Sequence, residues 1–120
     1  LIIFLSLAIG LGDISFGPSI FPVKAEELNY VNSTWRFSYK QGDRLVTNSE
    51  RIMLRADGRI VGLRSNSEYT WDLENEVLVF YDINKKPTTR FTEVVKKKGK
   101  YVLEGKFLLR NKIMHVLEQR

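Results

Sequence analysis

An all-β fold is what this sequence predicts: about eight short antiparallel strands in a meander that closes as a small barrel, with a two-sheet sandwich as the alternative. Three observations carry the prediction. Trp35, Phe37 and Tyr39 alternate with Arg36 and Ser38 at a period of two, the spacing that puts every second side chain on one face of a strand. Between Ser33 and Glu118, turn residues recur about once every 11 positions, the rhythm of a small barrel or sandwich. After residue 27 no stretch of ten or more residues shows the 3.6-residue period of an amphipathic helix.

Taken in order, the first strand is the aromatic run Thr34 to Lys40, turned by Gln41-Gly42-Asp43. Leu45 to Arg55 is the second, with Ile52 and Leu54 facing one way. Ala56-Asp57-Gly58-Arg59 holds an Asp-Gly pair of the kind that forms tight two-residue hairpins with both central residues at positive φ. Ile60 to Arg64 returns as the third strand, and the polar link Ser65-Asn66-Ser67-Glu68 leads to a fourth over Tyr69 to Leu73. Glu74-Asn75-Glu76 turns into Val77 to Tyr81, apolar on both faces and therefore central or doubly covered. Past the loop Asn84 to Pro87 come Thr88 to Val95, a turn over Lys96 to Lys100, and a long strand from Tyr101 to Arg110 in which Gly105 marks a bulge or bend. Asn111-Lys112 turns into the closing strand, Ile113 to Glu118. Closing such a meander removes the exposed strand edges that otherwise invite aggregation.

The domain plan is a signal peptide over residues 1–25, a linker over 26–32 and one barrel over 33–118. The uncharged run Leu1 to Gly12 is shorter than the ~20 residues that span a bilayer and matches the apolar core of a secretory leader. Val23-Lys24-Ala25 supplies residues that a signal peptidase accepts, so cleavage is expected after Ala25. The opening leucine and the missing basic leader fit a signal peptide shortened at its front. Retained, the same segment is a membrane anchor, and only then is a membrane a partner. The expected location is the periplasm or the medium outside the cell. With no cysteine, a domain there is held together by its core rather than by disulfides.

Composition excludes much chemistry. Without cysteine there is no thiolate nucleophile and no cysteine-based zinc or iron–sulfur site, and the single histidine argues against a multi-histidine metal centre. No phosphate-cradling glycine loop is present, no catalytic residue is assigned, and no cofactor or metal is implied. His115, flanked on its face by Ile113 and Leu117, reads either as a barrel-wall histidine or as a ligand contact. Asn66 and Glu68, just ahead of Tyr69 and Trp71, place polar groups beside aromatic faces, a combination that suits sugars. For Trp71 the preferred reading is a buried barrel plug rather than a sugar-stacking face. Arg90, between Thr89 and Phe91, projects to the outer face if its neighbours face the core. From Asn84 to Lys112 ten basic residues face two glutamates, so this stretch carries +8 of a chain whose net charge is +5. Its centre is the basic patch Lys96, Lys97, Lys98 and Lys100, suited to an anionic polymer; for an exported protein nucleic acid is not the expected one.

A short meandering domain with Trp35 on its first strand and Arg110 near its end resembles calycin-like barrels, the architecture of lipocalins, avidins and small periplasmic metalloprotease inhibitors. The resemblance implies that Arg110 packs across Trp35 and closes one end; Ser33 stands where such barrels carry a glycine. A second likeness rests on Ala56 to Gly62, Glu68 to Trp71 and Thr88 to Phe91. These are similar to β-domains that accompany bacterial polysaccharide-modifying proteins, although Ser67 replaces the asparagine expected before the glutamate. Together the readings lead to an exported, non-enzymatic binding domain for a carbohydrate, a small apolar ligand or a partner protein. The alternatives are a sugar-directed enzyme or its accessory domain, with Glu68 near His115, and a structural envelope protein.

Overall fold

A computed structural model describes residues 28–120 of the chain. The leader expected over 1–25, and residues 26 and 27 of the linker, lie outside the described residues. The described part is all-β. Its eight strands are β1 (Ser33–Gln41), β2 (Arg44–Leu54), β3 (Ile60–Val61), β4 (Thr70–Glu74), β5 (Val77–Tyr81), β6 (Pro87–Lys97), β7 (Lys100–Phe107) and β8 (Ile113–Gln119). They form one antiparallel sheet in the order β3-β2-β1-β8-β7-β6-β5-β4. The first and last strands pair along seven positions, from Trp35–Gln119 to Gln41–Ile113, which curls the meander into a barrel. Its one unsealed seam lies between β3 and β4, joined by the single bridge Arg59–Thr70.

Alternation along the strands decides what fills the barrel. Trp35 and Phe37 of β1, Ile52 and Leu54 of β2, Ile60 of β3, Leu78 and Phe80 of β5, Phe91 and Val94 of β6, Leu103 of β7 and Leu117 of β8 form one buried cluster. Phe80 and Phe91 meet edge to face at 4.8 Å between centroids. Tyr30, ahead of β1, joins this core and stacks on Trp35 at 6.2 Å. The outer face alternates charged residues with small buried ones, and Lys40 of β1 reaches over β8 to pair with Glu104 of β7 at 2.8 Å. The interior is thus occupied by the protein's own side chains.

Several details differ from the sequence expectation. The third strand ends after two residues rather than reaching Arg64, because Gly62 swings the backbone to φ +104° and passes so close to β2 that a β-carbon there would lie 2.2 Å from the Arg51 carbonyl oxygen. The Asp57-Gly58 hairpin is a three-residue loop: Arg55 N–H donates to Arg59 O at 2.9 Å, Gly58 N–H to Arg55 O at 3.0 Å, and only Gly58 takes positive φ. Positive φ at both central residues occurs instead at Asn75-Glu76 and at Lys98-Gly99. β7 stops at Phe107, three residues short of the expected end. Gly105 does face a bulge: the β6 register shifts between Arg90 and Glu93, and the Arg90 carbonyl fills the place a Gly105 β-carbon would take, 2.1 Å away.

The expected closure of one barrel end by Arg110 over Trp35 is not made. Trp35 pairs with Gln119 at the end where β7 begins, whereas Arg110 is exposed in the turn after β7 has run its length. Ser33 takes up the tryptophan instead. Its hydroxyl accepts from Trp35 Nε1 at 2.7 Å and donates to the Tyr30 carbonyl at 2.6 Å, so the residue in place of the glycine ties the indole to the incoming chain.

Candidate functional site

The crossing from β3 to β4 builds a polar concavity. After Gly62 the chain spans the seam and docks on the far strands: Ile83 N–H donates to the Asn66 carbonyl at 2.9 Å, and Thr88 Oγ1 to the Ser67 carbonyl at 2.6 Å. Tyr69 N–H then donates to Tyr81 O at 2.8 Å, which starts β4. Beside this crossing lies a cleft of about 410 Å³, lined by Arg59, Ile60, Leu63, Arg64, Ser65, Asn66, Glu68 and Tyr69. A second, of about 390 Å³, lies against Phe37, Tyr39 and Glu50 and shares Leu63, Arg64 and Ser65 with the first. Both are large enough for a small ligand.

Glu68 is the chemical centre of the first cleft. It is only 7% exposed, and its Oε2 has no hydrogen-bond partner among the described residues. Burial raises its pKa above the usual carboxylate range, with Ser65 exerting a smaller pull the other way. Arg59 lies across from it in the lining, its Cζ 4.0 Å from the centroid of the Tyr69 ring. The Arg59 Nε is likewise buried and unpartnered among the described residues. An acceptor and a donor therefore stand unused in the wall of one cleft, a costly arrangement.

Of the residues singled out from the sequence, Asn66 and Glu68 share this cleft. Trp71 lies two strand positions from Tyr69, packed against the core, with Nε1 donating to Arg55 O at 2.8 Å. It borders a separate cleft of about 360 Å³ with Asp57, Asp72, Tyr81 and Lys85. Arg90 projects outward, as the alternation implied, and its guanidinium is 3.5 Å from Glu74, whose other oxygen accepts from the Tyr81 hydroxyl. His115 is buried inside the barrel between Phe107, stacked at 4.4 Å, and Phe37, edge-on at 4.8 Å. Its Nδ1 is 2.9 Å from Thr89 Oγ1, and burial lowers its pKa to about 4. The lysines divide: Lys97 and Lys100 pair across the hairpin, Lys98 turns it, and Lys96 lies 5.2 Å over the Tyr101 ring. Arg90 is seven residues back along β6, roughly 20 Å away, and belongs to a different part of the surface.

Sequence reasoning missed Arg59, Arg64 and Tyr69. The usable signal was local: Arg59 and Tyr69 close the two polar ends of the β3–β4 crossing, where the first bridge after it must form. Comparison of the chain with protein-family models, with curated proteins and with solved structures finds no match to any of them.

Proposed function

We propose that this chain is an exported, non-enzymatic carbohydrate-binding domain of calycin-like build, with its site in the cleft at the β3–β4 seam. One observation carries the reading: Glu68, nearly buried and short of a hydrogen-bond partner among the described residues, lines a polar cleft. Vicinal sugar hydroxyls are suited to such a group, because each donates one hydrogen bond and accepts another. Asn66 and Arg59 add side-chain donors around it. The filled interior favours the seam over the barrel lumen and a hydroxylated ligand over an apolar one. Recognition is preferred to hydrolysis because Glu68 is the one carboxyl group in this lining, and glycoside hydrolysis uses a pair of carboxyl groups flanking the bond.

The test is isothermal titration with a panel of oligosaccharides. At least one should bind, and Glu68→Gln should weaken it tenfold or more, since a hydrogen bond to a charged group contributes about 1.5–3 kcal/mol and a factor of ten corresponds to about 1.4 kcal/mol. A panel without a binder, or a Glu68→Gln variant that binds like the parent, defeats the proposal.

A further inference from the structure

We infer that the sugar taken by this cleft is acidic, its carboxylate held by Arg59 and Arg64 while its hydroxyls meet Glu68 and Asn66. The inference rests on the sugar-binding reading and adds the ligand's charge. Four basic side chains of the barrel pair with acidic neighbours, Arg36 with Glu118, Lys40 with Glu104, Arg55 with Asp57 and Arg90 with Glu74, whereas the other described lysines and arginines form no ion pair. Among the described residues neither Arg59 nor Arg64 forms such a pair, although both line a cleft that contains Glu68. The cleft therefore carries two guanidinium groups against one carboxyl group.

Arg59 is also held in place before any ligand arrives. Its guanidinium is seated 4.0 Å over the Tyr69 ring, and its Nε is already out of water and without a partner. A fixed, stacked guanidinium loses little freedom on binding, and its planar donors match a carboxylate in geometry. Arg64 is exposed at the wall shared by the two clefts, where it can approach the same anion from the other side. A neutral sugar supplies no charge for the two guanidiniums, and an amino sugar brings a third cation to them. Burial raises the Glu68 pKa, which lessens its repulsion of a nearby anion.

The full chain is titrated with three trisaccharides of matched size, built from uronic acid, neutral sugar and amino sugar. The uronic acid should bind at least tenfold tighter than the neutral one, and Arg64→Gln should reduce that preference to less than threefold. Replacing Lys97, Lys98 and Lys100 with glutamine should leave uronate binding unchanged. Equal affinity for uronate and neutral sugar, or preference for the amino sugar, overturns the acidic assignment and leaves the sugar-binding site standing. Loss of uronate binding in the triple lysine variant moves the anion to the hairpin and also overturns it. No binding of any of the three sinks both proposals.

Discussion

Acidification should destabilise this barrel through one residue, His115. The imidazole is 5% exposed, lies between the rings of Phe37 and Phe107, and has its Nδ1 against the Thr89 hydroxyl. Burial lowers its pKa from 6.5 to about 4, so the folded state holds fewer protons than the unfolded chain between those values. Stability is then fully present above about pH 6.5 and is lost as pH falls toward 4. At about 1.4 kcal/mol per pH unit, the loss reaches about 3 kcal/mol once the folded-state pKa has been passed. Urea unfolding followed by tryptophan fluorescence at pH 7, 6, 5 and 4 measures it. The comparison is Thr89→Val with His115→Phe, which removes the titrating ring and its hydroxyl partner together and so leaves no orphaned group. Glu68 is present in both proteins, so its contribution cancels in the difference. The difference in unfolding free energy should grow by about 3 kcal/mol from pH 7 to pH 4 as the parent weakens. Parallel stability curves, or an His115 resonance that titrates near 6.5, would refute the reasoning.

Three further outcomes are expected. Trp35→Ala should cost about 3–5 kcal/mol, since it empties the space between Tyr30 and the core, and thermal unfolding will show it; a loss below 1 kcal/mol contradicts the packing described. Gly105→Ala should destabilise by about 2–4 kcal/mol because its β-carbon meets β6 backbone rather than a movable side chain, a result read from the denaturation midpoint. Glu76→Gly should stabilise by about 1 kcal/mol, because Glu76 is held at φ +69° in an exposed turn and the change creates the Asn-Gly pair such turns favour; an unchanged or lower midpoint counts against it.

Much of the barrel could be read from one strand at a time. Alternation in Trp35 to Tyr39, and in Thr89 to Phe91, is set by the two-residue repeat of a strand, so the buried face follows from sequence alone. Turns at Asn75-Glu76 and Lys98-Gly99 were likewise local. The early end of β3 was not legible, since it depends on how closely Gly62 passes Arg51, a residue from another strand. Nor was the fate of Arg110, whose place at the far end from Trp35 is fixed by register along β7 and β8. The candidate site was half legible. Asn66 and Glu68 stand out as polar residues beside aromatics, but the burial of Glu68 comes from the path of the crossing over β5 and β6. Arg59 joins them only because Tyr69 arrives beneath its guanidinium from the other side of the seam.

The single bridge between β3 and β4 makes this barrel a slit cylinder, and the slit sets where it breathes. Seven-position pairing of β1 with β8 makes the join of the first and last strands a firm one, while the gap between β3 and β4 is spanned by one bridge and a crossing loop. Amide exchange should therefore be fastest along this slit and slowest in β1, β8 and β7, as protection follows local opening. A molecule that gripped Arg59 on one lip and Glu68 on the other would act as a clasp. Under the proposed binding it would close the cylinder that the backbone leaves open and couple occupancy of the cleft to the stiffness of the whole wall.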